Sequence, residues 1–187
     1  MSFAAKMFNR RASDPRYKPD RIMDVLALQK GQVVADVGSG GGYFSLRFAN
    51  AVGKEGRVYA VDTNPKMLEF VRQSAIEKEL DNVETRLIEG DDLPFPERAL
   101  NLVFLRNVCH HLPNRVDYFK KIRNMLKPEG KVAIIEYTRS GVFRSLFQHY
   151  VLQETIVNEM TDAGYQIWKA FDFLPDQSFT IFIVSNK

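Results

Sequence analysis

Asp36 follows the apolar run Val33-Val34-Ala35 and stands two residues before the glycine cluster Gly38-Ser39-Gly40-Gly41-Gly42. Gly38, Gly40 and Gly42 allow a backbone to turn sharply off a buried strand and approach a ligand with no Cβ in the way. A dinucleotide fingerprint, G-x-G-x-x-G, needs its third glycine one place later, where Tyr43 stands. The spacing here is G-x-G-x-G. A carboxylate beside such a turn repels a pyrophosphate and attracts an ammonium or a sulfonium, so Asp36 points to a cationic ligand.

S-adenosylmethionine carries both cations. Asp36-Val37-Gly38-Ser39-Gly40-Gly41-Gly42, Val58-Tyr59-Ala60-Val61-Asp62, Asn107-Val108-Cys109-His110-His111-Leu112 and Leu126-Lys127-Pro128-Glu129-Gly130 occur in that order. Together they resemble class I S-adenosylmethionine-dependent methyltransferases. The pattern is most similar to the small-molecule group that includes the ubiquinone/menaquinone C-methyltransferases, from about Pro19 onward. The resemblance implies in-line transfer of the methyl group of S-adenosyl-L-methionine to a small-molecule acceptor, leaving S-adenosyl-L-homocysteine. It also implies a three-layer Rossmann-like α/β fold, with a mostly parallel seven-stranded sheet of order 3-2-1-4-5-7-6 and strand 7 antiparallel.

The implied cofactor residues fall at the carboxyl ends of the strands, where ligands of open parallel sheets bind. Around Gly38, Ser39, Gly40 and Gly42, backbone N–H groups opening the next helix would take the methionine carboxylate, with Asp36 balancing its ammonium. Asp62, followed by Thr63, would hold the ribose hydroxyls; its residue type alone also fits an N-cap for a helix starting near Pro65. Met67 fits adenine packing or the core equally. Glu89, Gly90, Asp91 and Asp92 lie where the family places a group near the adenine amine, with Asp91 slightly favoured over Glu89. Arg106 and Asn107 follow the fourth strand. Asn101 stands where the family commonly has aspartate.

Acceptor chemistry is less legible. Holding the acceptor in line lowers a displacement barrier by several kcal/mol, up to about 7 to 11, and a base is needed only if the acceptor must lose a proton. His110, His111 and Tyr43 are the candidates, and on an extended segment the two histidines would face opposite ways. Each histidine also fits a structural role. The segments 3–17 and 138–150 are aromatic and basic: Phe8, Tyr17, Phe143, Phe147 and Tyr150 are candidates to line a lid, and Arg139, Arg144 and His149 to bind an anionic group. Helix packing explains Phe143, Phe147 and Tyr150 nearly as well. Cys109 is the sole cysteine of the sequence, so neither a disulfide nor a cysteine metal cluster is expected, and no metal site is. The arsenite methyltransferases depend on several cysteines, which argues against an arsenic acceptor. Two other classes fit the residues: a non-catalytic S-adenosylmethionine-binding protein, and an RNA methyltransferase using the N-terminal arm. That arm carries Lys6, Arg10, Arg11, Arg16, Lys18 and Arg21 against Asp14 and Asp20, and its plainest reading is a solvated tail.

The elements that must position these residues alternate between apolar, β-branched runs and helical patterns, the mark of βαβ units. Strands are expected at 33–37, 57–62, 83–88, 100–105 and 131–137. Helices are expected from Gly42 onward, from Pro65, over 116–126 and over 151–163. Segments 165–174 and 179–185 both alternate as strands with four residues between them, too few for a crossover helix, so they must be antiparallel. At 187 residues and a net charge of +3 the chain is sized for one domain, 1–187, with 1–20 as an arm or lid. No apolar run approaches the ~20 residues of a membrane span, and Met1 to Arg11 lacks a secretory core. A cytoplasmic protein of unknown oligomeric state is the expectation.

Overall fold

A computed structural model describes residues 3–89, 93, 95–138 and 150–185. Seven strands, β1 (Val33–Val37), β2 (Arg57–Asp62), β3 (Val83–Leu87), β4 (Leu100–Arg106), β5 (Leu126–Tyr137), β6 (Tyr165–Phe171) and β7 (Gln177–Val184), form one sheet of order β3-β2-β1-β4-β5-β7-β6. This is the expected order. The chain divides into two compact units, Met1–Pro94 and Phe95–Lys187.

In the first unit, α1 (Phe3–Ala12) and α2 (Pro19–Leu26) precede β1, and α3 (Tyr43–Val52) and α4 (Pro65–Glu77) follow β1 and β2. β1, β2 and β3 pair in parallel, Val37 opposite Val61 and Asp62 opposite Leu87. Phe44, Phe48 and Val52 recur at four-residue spacing, and all three are buried. α4 starts with Pro65 at its first turn, where a missing N–H costs nothing, and Asn64 caps it by accepting from the Lys66 N–H at 3.0 Å. Asp62 is therefore not the N-cap. The N-terminal arm is not a solvated tail either: Ala5 and Ile22 are fully buried and Tyr17 nearly so. Tyr17 belongs to this packed interior, whereas Phe8 is 47% exposed.

In the second unit, α5 (Arg115–Met125) and α6 (Gln153–Asp162) accompany β4 to β7. β4 and β5 are parallel; β7 runs antiparallel to both β5 and β6, completing the terminal hairpin. β5 begins earlier than the expected position 131. Leu126 already pairs with Leu100, and the irregularity between Leu100 and Leu102 absorbs the extra residues around Pro128. Gly130 is needed there because a Cβ would meet the Leu100 carbonyl oxygen at 2.8 Å. Asn101 lies within β4 and accepts from Lys127 Nζ at 3.0 Å. Arg115 forms a two-pronged pair with Glu159, at 2.6 and 2.7 Å, that ties the start of α5 to α6.

Candidate functional site

The glycine turn of the first unit is held by its own backbone. Gly38 and Ser39 N–H groups both donate to the Val61 carbonyl, at 2.8 and 2.9 Å, and the Gly42 N–H donates to Ser39. Gly38, Gly40 and Gly42 have φ of 70°, 52° and 78°, values that favour glycine. At Gly42 a Cβ would also strike Val71 Cγ2 at 2.7 Å. At Gly42 the turn is thus packed against α4 with no room for a side chain.

Asp62, at the end of β2, has each carboxylate oxygen on one backbone donor: Oδ2 accepts from Gly40 and Oδ1 from Asn64, both at 2.9 Å. The side chain is partly exposed, and an ionised carboxylate accepts up to about four hydrogen bonds, so capacity remains for two vicinal hydroxyls. Asp36 is different. It is buried, and its Oδ2 accepts from Ser45 Oγ on α3 at 2.5 Å. The Ser39 hydroxyl is sealed from solvent and has no hydrogen-bond partner among the described residues, a donor that a polar ligand edge in this turn would satisfy. The expected anion-binding N–H at the start of α3 is engaged within the protein: Tyr43 N–H donates to Asn9 Oδ1 at 3.1 Å. Thr63 is exposed beside Asp62, and Met67 is buried on α4 with Leu68 and Val71. Glu89 is exposed just past β3. Gly90, Asp91 and Asp92 lie outside the described residues. Tyr43 opens α3, half-buried, and its hydroxyl accepts from Arg47 at 3.0 Å.

The second unit gathers polar groups past the ends of β4 and β5. Cys109–His111 is a single 3-10 turn rather than an extended segment, so the two histidine rings do not face opposite ways; their centroids are 4.0 Å apart. What separates them is burial and partner. His111 is exposed, whereas the His110 side chain is 6% exposed, with Nδ1 at 3.0 and 3.1 Å from the two oxygens of Glu136. Glu136 is fully buried near the end of β5 and also accepts the backbone N–H of His110 (3.3 Å) and of Tyr137 (2.8 Å). A carboxylate serving as acceptor to those donors takes the Nδ1 proton too, which assigns the basic lone pair of the ring to Nε2. Glu136 was not flagged in the sequence because it lies among the apolar residues of β5, past the Leu126–Gly130 motif and outside it.

Asn107, with φ of 57°, follows Arg106 and accepts from Gln177 Nε2 at 2.6 Å. Gln177 Oε1 is buried without a hydrogen-bond partner among the described residues. The buried Cys109 thiol is pushed well up by desolvation, reinforced by the charge of Glu136, and so stays protonated. No group of three or more His, Cys, Asp or Glu suited to a metal ion occurs among the described residues. Of the suggested lid residues, Tyr150 is half-buried, and Arg139, Phe143, Arg144, Phe147 and His149 lie outside the described residues.

A parallel sheet with a glycine turn after its first strand and a carboxylate closing its second defines a Rossmann-like nucleotide-binding α/β protein. A family model described as a methyltransferase domain matches residues 28–172. The chain is 32% identical to an arsenite methyltransferase of Halobacterium salinarum over 63% of its own length, and 31% identical to a demethylmenaquinone methyltransferase of Geobacillus over 68%. It spans 30% and 56% of those two proteins. A solved S-adenosylmethionine-dependent methyltransferase from Aquifex aeolicus shares the fold with a TM-score of 0.84 at 20% identity, covering 98% of this chain and all of that one. The chain belongs to the methyltransferase-domain family.

Proposed function

We propose that this protein transfers the methyl group of S-adenosyl-L-methionine to a small-molecule acceptor. The observation that carries the reading is the joint geometry of Gly40 and Asp62: the turn's own N–H fixes a partly exposed carboxylate at the strand end and leaves it acceptor capacity. The carboxylate of Asp36 beside the turn repels a pyrophosphate and attracts a cationic nucleoside. Asp62, with Thr63 at its side, holds the ribose hydroxyls. The turn Gly38–Gly42, with the Ser39 hydroxyl, receives the methionine portion, and the buried charge of Asp36 favours its cations. Met67 and one of the acidic groups Glu89, Asp91 and Asp92 attend the adenine. Bound there, S-adenosylmethionine supplies a methyl group already activated on a sulfonium.

For an acceptor whose reacting atom carries a proton, His110 is the base offered by the described residues. Glu136 fixes its tautomer and stabilises the imidazolium that forms when Nε2 takes the proton, a division of labour worth about 10²- to 10⁴-fold in rate. Asn107 and Gln177 add an amide pair whose buried Oε1 accepts a donor of the acceptor molecule. The Geobacillus relative is named for demethylmenaquinone, so a hydroxylated aromatic acceptor is the first class to test. Arsenite is disfavoured, because Cys109 is fully buried with its thiol held protonated and arsenic needs thiolates.

The test is label transfer from methyl-labelled S-adenosylmethionine to a soluble reduced demethylmenaquinone analogue and a panel of phenols. Turnover lost in His110→Ala with S-adenosylhomocysteine affinity retained supports the reading. Saturable cofactor binding with no turnover on any small acceptor would sink it in favour of a cofactor-binding protein.

A further inference from the structure

The glycine turn contains one glycine that its own backbone does not require. Gly38, Gly40 and Gly42 have positive φ; Gly41 does not. Yet a Cβ at Gly41 would overlap the carbonyl oxygen of Ala5 and Asn9 Oδ1. Both belong to α1. The neighbour across the turn is a backbone atom, which cannot swing aside as a side chain would, so position 41 lacks a side chain because α1 docks there. Ala5 is fully buried, and the side chain of Phe8 lies 3.6 Å from where a Gly40 Cβ would be.

Asn9 makes the docking specific. Its Nδ2 donates to the Gly41 carbonyl at 2.8 Å while its Oδ1 accepts from the Tyr43 N–H at 3.1 Å. One planar amide thereby holds an acceptor and a donor on either side of Gly42, the residue at which the chain turns into α3. The first N–H groups of a helix have no partner within it, and Gly42, at the N-cap, has no side chain to offer. Asn9 supplies from another helix the cap that α3 lacks. None of these contacts displaces the Gly40 bond to Asp62.

We propose that Asn9 is a positioning residue of the cofactor site: through it, docked α1 holds the glycine turn in its ligand-binding shape, so that α1 docking and cofactor binding strengthen each other. The proposal rests on the reading of this turn as the S-adenosylmethionine site. The coupling is reciprocal by linkage, so a ligand that binds the ordered turn also holds α1 in place. α1 carries Lys6, Arg10 and Arg11, all exposed. Trypsin can cut after them only when the helix opens, and the cutting rate reports the undocked population.

The experiment uses the full chain with S-adenosylhomocysteine as probe, measuring its affinity by calorimetry and the rate of tryptic cleavage within α1. In the wild type the ligand should slow that cleavage. Asn9→Ala should weaken binding about tenfold, the worth of one to two net hydrogen bonds, and remove most of the protection. Gly41→Ala, which displaces α1 and leaves the three positive-φ glycines in place, should do the same. Met7→Ser, on the exposed side of α1, should change neither. A merely structural Asn9 would lower the denaturation midpoint while leaving affinity and ligand protection as in the wild type, and that result overturns the proposal. So does wild-type protein that binds the ligand without protection of α1, whatever the variants do. No binding by the wild type would remove the cofactor reading itself and the proposal with it.

Discussion

Asp36 and Asp62 close neighbouring strands of the same sheet, but their surroundings assign them different tasks. Asp36 is sealed under α3 and spends an oxygen on Ser45, whereas Asp62 keeps a partly exposed carboxylate, so of the two only Asp62 is proposed to touch the cofactor directly. Replacing Asp62 by Asn retains shape and the capacity to accept one backbone N–H. It should weaken S-adenosylhomocysteine at least about tenfold, the usual worth of a charge-assisted contact, with the circular dichroism spectrum unchanged. At His110 the sequence allowed two equal candidates, and only the fold ranks them, because the partner Glu136 is 26 positions away on another strand. Glu136→Gln should lower kcat about 10²-fold or more with little change in KM, since a carboxamide neither fixes the tautomer nor stabilises imidazolium. A parallel loss in KM would mean that Glu136 only shapes the acceptor pocket. Cys109 should resist thiol reagents in the native state and react once guanidinium unfolds the chain; rapid native reaction would contradict its burial.

At the scale of elements, the legible parts were those set by local chemistry. Pro65 and Asn64 start α4 at the expected place, and Phe44, Phe48 and Val52 mark the buried face of α3. The four-residue gap before Phe179 required the antiparallel hairpin that β6 and β7 form. Three features were not legible, and each depends on residues distant in sequence. The start of β5 depends on pairing of Leu126 with Leu100. The histidine turn depends on Glu136. The folding of the basic arm depends on Gly41 and Asn9, which neither periodicity nor composition flags. Gly42→Ala tests the turn as an element: positive φ and a Cβ 2.7 Å from Val71 should together cost about 2 to 4 kcal/mol, read from chemical denaturation. A cost below about 0.5 kcal/mol would show that the turn adapts, and the tight packing of α4 against it would be refuted.

Over the whole molecule, the same burial that makes Cys109 inert makes the fold sensitive to alkali. The Cys109 thiol and the Tyr118 and Tyr165 phenols are all pushed up, each mainly by desolvation, from ordinary values of 9.0 and 10.0. Below about pH 8 both folded and unfolded states hold these protons and stability is indifferent to them. Above it the unfolded chain ionises first and binds fewer protons, so stability falls as pH rises. The denaturation midpoint should therefore be flat up to about pH 8 and decline beyond it, and Cys109→Ala should move the onset toward the tyrosine range near pH 10. In the proposed function the first unit binds a cationic nucleoside through its glycine turn and Asp62. Calorimetric titration of the wild type and Asp62→Ala with S-adenosylmethionine and S-adenosylhomocysteine, against a nicotinamide dinucleotide, decides whether it does. The wild type should bind both sulfur nucleosides saturably, the variant should lose that binding, and the dinucleotide should not bind. Dinucleotide binding, or wild-type protein inert to both sulfur nucleosides, would contradict the proposed function.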